Sequence, residues 1–212
     1  MCGRFTLTTE IQELREHFSA GNTVEFHSSY NISPASNIPI VRLDNGDFHL
    51  SLCHWGLVPH WAKAGNNYKA INARAETLAE KPYFRDAFKQ RRCLIPATGF
   101  YEWKKINGVK QAYYFHVQNE PLFAFAGLWE FRRDREHNPD SCTIITTSAN
   151  TTVQPVHDRM PVILGPENYT EWLQTGTAGL LTPYSGAMEC HPVGAAVNNP
   201  RNDSRELIEP AR

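Results

Sequence analysis

The stretch from Pro39 to Cys53 reads PIVRLDNGDFHLSLC and places Asn45-Gly46 between two apolar runs. Asn-Gly strongly favours a two-residue hairpin turn, because both of its residues tolerate a positive φ angle. The runs Pro39–Leu43 and Phe48–Cys53 are therefore predicted to be paired antiparallel strands. The fold is thus expected to be organised around β-hairpins.

The remaining elements extend this pattern in both directions along the chain. Asn107-Gly108 predicts a second hairpin, with strands over Gly99–Lys105 and Val109–Val117. Short β-branched or aromatic runs predict further strands at Leu122–Trp129, Thr143–Thr147 and Pro161–Leu164. Amphipathic spacing with start and stop signals predicts helices at Thr9–Ser19, Lys81–Arg91 and Pro166–Gln174.

The order of these elements indicates the fold class. The predicted strands are not joined by regular helical crossovers, which disfavours a parallel α/β sheet. The sequence therefore predicts an α+β fold, with a largely antiparallel sheet or barrel-like core and a few flanking helices. We expect one domain over residues 1–212, with the polar end, 201–212, fraying.

Composition excludes several classes of protein. Of the 212 residues, 41% are hydrophobic and 20% are charged, which is typical of a globular chain and not of a disordered or fibrous one. No apolar run approaches the ~18 residues of a membrane span, and the first ten residues lack a secretory pattern. We therefore expect an intracellular, cytoplasmic protein without a membrane partner. Scattered cysteines without a CxxC pair predict a reduced protein with neither metal nor cofactor: Cys2, Cys53, Cys93, Cys142 and Cys190.

Charge is balanced overall but uneven along the chain. The formal net charge is −1, so the protein is not a globally basic nucleic-acid binder. The stretch from Lys63 to Lys110 nevertheless holds eleven Lys or Arg against four Asp or Glu, a local excess of +7. Such a stretch can bind a phosphate backbone. A solvated basic face is the simpler interpretation of the charge alone.

Cys2 is the first residue with distinctive chemistry. Removal of Met1, which is common when the second residue is small, would leave a chain that begins with cysteine. An α-amine has a pKa of about 7.7, against about 10.4 for lysine, so far more of it is a free base at neutral pH. Such an amine attacks aldehydes, and the adjacent thiol can then close a five-membered thiazolidine ring. The alternative is that Cys2 is only a small residue after the initiator.

Further residues could take part in chemistry, each with a structural alternative. Asn72 and Arg74 lie in a predicted loop, where they could bind a phosphate or only cap the loop. Glu102 lies between two aromatic residues on a predicted strand, and burial would suit it to proton transfer, whereas exposure would not. His157 precedes an apolar run and could be an acid/base group or a structural histidine. Cys2, Asn72 and His157 also match the residue types of a cysteine hydrolase.

Eight sequence blocks, taken in order, connect this chain to a known family. They are Cys2-Gly3-Arg4-Phe5, Tyr30-Asn31-Ile32-Ser33-Pro34, Trp55-Gly56-Leu57-Val58-Pro59, Asn72-Ala73-Arg74-Ala75-Glu76-Thr77, Arg91-Arg92-Cys93-Leu94-Ile95-Pro96, Gly99-Phe100-Tyr101-Glu102-Trp103, Phe125-Ala126-Gly127-Leu128-Trp129 and His157-Asp158-Arg159-Met160-Pro161. In this combination the chain resembles the SOS-response-associated peptidase (SRAP) family of abasic-site-processing proteins. The resemblance covers nearly the whole chain.

The resemblance implies a function and a set of site residues. Cys2, with Met1 removed, is expected to form a covalent thiazolidine crosslink with an abasic site, shielding it during the DNA damage response. The expected catalytic partners are Asn72, Glu102 and His157. The residues expected at the DNA are Arg4, Arg74 and Arg159, with Trp103 stacking on a base. The implied partner is single-stranded DNA with an abasic site, or its junction with a duplex.

Further expectations and two alternatives accompany this function. Weak abasic-site lyase activity and slow reversal of the crosslink follow from the imine chemistry. We expect a monomer that is nucleoid-associated when bound to DNA. One alternative is a cysteine-type peptidase, acting on Met1 or on other substrates, that uses Cys2 with His157. The other is a noncatalytic DNA-binding module in which Cys2 is incidental.

Overall fold

Two β-sheets and three α-helices make up the part of the chain that the structure, a computed structural model, describes: residues 2–62, 69–131 and 140–211. The strands are β1 (Phe5–Leu7), β2 (Ser29–Ile32), β3 (Asn37–Asp44), β4 (Asp47–Trp55), β5 (Asn72–Arg74), β6 (Arg92–Ala97), β7 (Gly99–Ile106), β8 (Val109–Val117), β9 (Phe123–Glu130), β10 (Ser141–Ser148), β11 (Arg159–Pro161), β12 (Ile163–Leu164) and β13 (Met188–Pro192). The helices are α1 (Ile11–His17), α2 (Pro82–Gln90) and α3 (Tyr169–Thr175).

The larger sheet closes on itself. Strand β10 pairs in parallel with β4, where Ser141 lies opposite His54, and antiparallel with β9, where Ser141 lies opposite Glu130. Antiparallel pairings β4–β3, β3–β6 and β6–β9 complete a ring of five strands. Strands β5 and β11 extend this ring from β10, and β12 extends it from β9. The prediction of an α+β fold with a barrel-like core is confirmed.

The smaller sheet has the strand order β13-β8-β7-β1-β2 and meets the barrel along one seam. The chain passes from barrel strand β6 to sheet strand β7 across the single residue Thr98. Phe5 on β1 lies opposite Phe100 on β7, and the rings of both residues meet Phe125 of the barrel edge-on. Such aromatic contacts contribute about 0.5–1.5 kcal/mol each beyond their buried area. The seam therefore holds the short strand β1, and the N-terminus before it, against the barrel.

Both predicted hairpins are confirmed. Asn45 and Gly46 have φ angles of 50° and 93°, and Asn107 and Gly108 have φ angles of 50° and 86°. Two successive positive φ angles are those of a type I′ turn, whose twist matches that of the strands it joins. The strands are longer than the apolar runs, since β3 begins at Asn37 and β7 continues to Ile106.

The three predicted helices are present, with ends that shift by one to three residues. Helix α1 is shorter than predicted: Glu10, the N-cap residue before it, makes no side-chain cap, and Ser19 beyond its C-terminus has a positive φ of 50°. Helix α3 follows a 3₁₀ turn at Pro166–Asn168 and ends at Gly176, whose left-handed φ of 64° suits glycine. No helix among the described residues has the length and apolar character to cross a bilayer.

The polar C-terminal segment is packed, in contrast to the expected fraying. Within 201–211, Leu207 is 4% exposed and lies in a cluster with Tyr101 and Val197. The amide of Ala211 donates to the carbonyl oxygen of Pro192 at 2.8 Å. The segment covers the outer face of β7 and β8 through a few apolar residues spread among polar ones.

Gly127 provides a test of barrel packing. A Cβ added there would lie 2.8 Å from Ile95 Cδ1 and 2.9 Å from Cys93 Sγ, inside the ring of strands. Overpacking of this kind costs about 1–3 kcal/mol, so Gly127→Ala should lower the free energy of unfolding by that amount in urea titrations. The control is Gly21→Ala, where a Cβ meets no atom within 4 Å. Equal effects of the two changes would contradict this account of the barrel interior.

Candidate functional site

Cys2 lies at the seam between the sheet and the barrel, and its side chain is fully buried. Its backbone carbonyl oxygen accepts a 2.8 Å hydrogen bond from Asn72 Nδ2. Asn72 begins strand β5 and lies opposite Ile144 in a parallel pairing with β10, so the sheet fixes its position. The loop predicted around Asn72 and Arg74 is therefore a strand. Asn72 Oδ1 is buried and makes no hydrogen bond to any described residue.

Glu102 approaches the same point from β7. Strand alternation directs Glu102 to the barrel side with Phe100, while Tyr101 and Trp103 face away. The side chain is only 3% exposed, and burial raises the pKa of its carboxyl group above the ordinary value. The positive charge that His157 can carry opposes this rise, as does a hydrogen bond from the backbone amide of Trp103. More of Glu102 is thus protonated near neutral pH than of an exposed glutamate.

The Cys2 thiol is held in its neutral form. Burial, and next the negative charge of Glu102, raise the pKa of the thiol well above its ordinary range. Its Sγ also lies 3.9 Å from the carbonyl oxygen of Arg4, an acceptor that suits S–H. A thiol in this setting is a poor source of thiolate. Its chemistry therefore depends on a base that accepts the proton as sulfur reacts.

His157 lies just before β11, and a hydrogen bond fixes its ring. Nδ1 accepts from the backbone amide of Arg159 at 2.9 Å. Asp158 Oδ1 also lies 3.1 Å from Nδ1, but that side chain is 88% exposed and competes with water. Nδ1 also lies 3.2 Å from the carbonyl oxygen of Arg159, so the tautomer decides whether this nitrogen accepts from the amide or donates to the carbonyl oxygen.

Glu102 and His157 border a cleft of about 560 Å³, whereas Cys2 and Asn72 lie behind its surface, next to the lining residue Gly3. It is lined by Gly3, Arg4, Glu102, Trp103, Lys110, His157 and Asn198. Four predicted site residues thus share a surface, although they come from the N-terminus, β7 and the turn before β11. The burial of Glu102 argues against the alternative of an exposed carboxylate and is consistent with a role in proton transfer.

Arg4 and Trp103 form one wall of the cleft. The guanidinium carbon of Arg4 lies 5.9 Å from the centre of the Trp103 ring, a cation–π distance. Arg4 Nη1 donates to Asn31 Oδ1 at 2.6 Å and to the Val197 carbonyl oxygen at 2.9 Å. The Trp103 indole donates to Asn198 Oδ1 at 2.7 Å. The wall is therefore preorganised, because Asn31 and Val197 hold the guanidinium group of Arg4 and Asn198 holds the indole of Trp103.

Arg74 and Arg159 differ in what surrounds them. Arg159 donates from Nη1 and Nη2 to the two carboxylate oxygens of Glu76 at 2.6 and 2.9 Å, and from Nη2 to the Thr146 carbonyl oxygen at 2.7 Å. Its donors are thus largely engaged within the protein, and its predicted contact with DNA stays a prediction. Arg74 is exposed on β5, so its charge is open to a ligand.

Three residues that the sequence reasoning did not select contribute to the site. Asn31 is buried and donates from Nδ2 to the carbonyl oxygens of Asn199 and Asn202, besides accepting from Arg4. Asn198 orients Trp103, and Lys110 lines the cleft. Asn31 lies in the block Tyr30–Pro34 that helped to identify the family, which was the available signal. The other two had none.

Among the described residues, no group of three or more His, Cys, Asp or Glu side chains is arranged to hold a metal ion. The candidate site consists of the carboxyl group of Glu102 and the imidazole of His157 on the cleft, with the buried Cys2 thiol and the Asn72 amide behind it. This set can bind a carbonyl compound, transfer protons to it and close a ring on it.

Comparisons with known proteins place this arrangement in a family. A family profile described as "SOS response associated peptidase (SRAP)" matches residues 1–200. The chain is 45% identical to "Abasic site processing protein YoqW" of Bacillus subtilis, covering 99% of each chain. It is 30% identical to "Abasic site processing protein HMCES" of Xenopus tropicalis, covering 98% of this chain and 78% of that one. A solved structure from Bacteroides thetaiotaomicron has the same fold, with a TM-score of 0.88 at 24% identity over the full length of both chains.

The burial of Glu102 predicts how stability depends on pH. Because its pKa is raised in the folded state, the folded protein binds this proton more tightly than the unfolded chain does. The wild-type protein should therefore lose stability, relative to Glu102→Gln, as pH rises from below the ordinary glutamate pKa through the raised one. Urea unfolding at a series of pH values between 4 and 7 measures the difference, with exposed Glu13→Gln as the control. If the stability advantage of Glu102→Gln over the wild type does not grow as pH rises, the raised pKa of buried Glu102 is contradicted.

Proposed function

The chain belongs to the SOS response associated peptidase family, and we propose that it forms a covalent adduct between Cys2 and an abasic site in DNA. Its relatives in Bacillus subtilis and Xenopus tropicalis carry the name abasic site processing protein. The observation that carries the proposal is the position of Cys2. Asn72 holds its carbonyl oxygen beside a cleft that Glu102 and His157 border. The nucleophile and the proton-transfer groups therefore lie together.

An abasic deoxyribose suits this nucleophile because its ring opens to a free aldehyde. With Met1 removed, the Cys2 α-amine would be a free base to a much larger extent than a lysine, from reference pKa values of about 7.7 and 10.4. Asn72 Oδ1, which accepts from no described residue, is available to accept a hydrogen bond from that amine. The amide would then direct the nitrogen lone pair toward the cleft.

The first half of the proposed reaction makes an imine. In ring opening, the bond between C1 and the ring oxygen breaks, protonated His157 gives a proton to that oxygen, and the proton of the C1 hydroxyl group passes to water, which leaves the aldehyde. The amine nitrogen adds to the aldehyde carbon, and the carbonyl oxygen becomes a hydroxyl group. Protonated Glu102 then gives a proton to that hydroxyl group, which leaves as water, and a C=N bond forms. The raised pKa of Glu102 suits this step, since a general acid must carry its proton near neutral pH.

The second half closes the ring. The Cys2 sulfur adds to the iminium carbon, its proton passes to the Glu102 carboxylate, and the nitrogen regains its lone pair. The products are a thiazolidine and one water molecule, and Glu102 returns to its acid form. The buried neutral thiol fits this sequence, because sulfur and proton move together. If the imine instead loses a proton next to the C=N bond, the 3′ phosphate is eliminated, which gives the proposed weak lyase activity. Acid catalysis by Glu102 or His157 would also allow slow reversal.

Single-stranded DNA, alone or at a junction with a duplex, is the proposed partner. An abasic site has no base to move out of a stack, so the few kcal/mol that base flipping costs are not needed. Trp103 offers a face for an adjacent base, worth about 1–3 kcal/mol when stacked. Arg4 and exposed Arg74 offer charge for phosphates.

A peptidase that uses Cys2 with His157 is the other chemistry to consider. That mechanism needs a thiolate, whereas burial and Glu102 raise the pKa of the thiol. The geometry thus favours the amine as the primary nucleophile. Removal of Met1 by the chain itself stays a separate proposal, tested by the intact mass of the purified protein after expression.

The two functional groups of Cys2 can be separated by substitution. We expect Cys2→Ala to keep an imine that borohydride traps on abasic single-stranded DNA, because alanine retains the α-amine. It should lose the crosslink that forms without reductant, since no thiol closes the ring. Denaturing gels and intact mass measure both products, with exposed Cys190→Ala as the control. A heat-stable crosslink from Cys2→Ala without reductant would rule out ring closure by the thiol.

Arg74 should contribute one phosphate contact. Loss of such a contact on single-stranded DNA makes the plot of log affinity against log salt less steep by about 0.7. We expect Arg74→Ala to show this change when binding to an abasic oligonucleotide is measured over a range of NaCl concentrations. Arg85→Ala, another arginine of the basic stretch but on α2, is the control and should match the wild type. An unchanged slope for Arg74→Ala would remove it from the phosphate contacts.

A further inference from the structure

The hairpin formed by β7 and β8 carries two lysines in an unfavourable arrangement. Lys105 lies directly opposite Lys110 in the antiparallel register, so both side chains extend from the same face of the sheet. Like charges that face each other across paired strands destabilise a sheet. Both residues are exposed, and neither has an ion-pair partner among the residues that the structure describes.

The neighbouring sequence offers no negative charge that could offset the repulsion between the two lysines. From Trp103 to Asn119 the chain contains no Asp or Glu, while Lys104 adds a third positive charge on the opposite face. A local arrangement that costs stability without a structural gain is typical of a functional surface. Because the cost is electrostatic, a negatively charged ligand is what would relieve it.

Strand geometry connects this pair to the cleft. Trp103 and Lys105 are two residues apart on β7, so they lie on one face, about 7 Å apart along the strand. Lys110 itself lines the cleft together with Arg4 and Trp103. Arg4, Trp103 and the lysine pair therefore follow one another from the cleft outward. Phosphates that flank a base stacked on Trp103 would pass over this line.

We propose that Lys105 and Lys110 form a phosphate-binding pair that holds the DNA strand leaving the cleft on the Trp103 side. This inference rests on the proposed function, since it assumes that the nucleotide in the cleft belongs to a DNA strand. It extends the contact surface from the reacting sugar to the neighbouring backbone. Lys110 lies at the edge of the cleft that Glu102 and His157 line, and Lys105 lies opposite it on β7, so the pair is assigned a role in binding the strand and not in proton transfer.

The test measures equilibrium binding without the covalent step. The probe is a single-stranded oligonucleotide with one tetrahydrofuran site, which lacks the aldehyde. Lys105→Gln, Lys110→Gln and the double variant are compared with the wild type over a range of NaCl concentrations. We expect the slope of log affinity against log salt to become less steep by about 0.7 for each lysine and about 1.4 for the double variant. Lys89→Gln, an exposed lysine on α2 in the same basic stretch, should leave the slope unchanged.

Shortened probes locate the contact. Removing nucleotides from one side of the tetrahydrofuran site should weaken binding to the wild type, and binding to the double variant should no longer respond to that removal. The melting temperature of the double variant should stay the same or rise, because the like-charge pair is gone, which separates lost binding from lost folding. A double variant with the wild-type slope and the wild-type response to shortening overturns the inference.

A crosslinking control separates this inference from the proposed function. Wild-type protein that binds the tetrahydrofuran probe with the expected slope but forms no adduct with abasic DNA would contradict the covalent reaction and leave the lysine pair supported. If the wild type forms the adduct but the lysine variants keep the wild-type salt slope, the covalent reaction is supported and the phosphate-binding role of the lysine pair is contradicted.

Discussion

The position of the N-terminal residues against the seam of two sheets is the constraint on which the rest of the site depends. Strand β1 is only three residues long, yet it pairs with β7 and β2, and its Phe5 ring meets Phe125 of the barrel. The amide of Tyr101 donates to the Arg4 carbonyl oxygen at 3.0 Å, and Asn72 donates to that of Cys2 at 2.8 Å. These contacts fix the backbone carbonyl groups of Cys2 and Arg4, so Cys2 has one position relative to Glu102. A chain end without them would have to lose its conformational freedom in the reaction itself.

The burial of the Glu102 carboxyl group is a second constraint on the site, and it acts through electrostatics. Glu102 is held where solvent cannot stabilise its charge, which costs stability and keeps the proton available near neutral pH. The same charge, with burial, keeps the Cys2 thiol neutral. In the proposed reaction the two effects are complementary, because the acid is charged only after water has left and the thiol loses its proton only as the ring closes. Neither group could be tuned this way on an exposed strand.

The sequence predicted the elements whose signals are local. Asn45-Gly46 requires positive φ angles, so the hairpin followed from two residues. Strand β5 was missed because its three residues pair with a distant segment, β10, and have no alternation of their own. The packing of residues 201–211 could not be predicted because Leu207 is one apolar residue among polar ones and packs against Tyr101, which is distant in sequence. Pairing between distant segments leaves little trace in any short window of sequence.

Prediction of the site was limited in the same way. The chemical character of Cys2 could be derived from its place after Met1, but its proximity to Glu102 could not, since more than ninety residues separate them. Only the family resemblance connected the two. The resemblance likewise gave Arg159 as a residue at the DNA, whereas its bidentate pair with Glu76 joins segments 83 residues apart and could not be derived from the sequence. Arg4 likewise donates hydrogen bonds to Asn31 and Val197, which are distant from it in sequence.

The cationic residues predicted or proposed to contact DNA therefore divide by what they contact. Arg4 and Arg159 are anchored to protein groups, and for Arg4, which lines the cleft, this anchoring reduces the freedom that binding must remove. Arg74, Lys105 and Lys110 are exposed, and no described residue forms an ion pair with any of them. With a net charge of −1 on the whole chain, long-range attraction to DNA would be weak, and in the proposed function these few open charges would act at short range. In that proposal the surface would hold an intact strand only loosely, and retention of the DNA would come from the covalent bond to an aldehyde that intact DNA lacks.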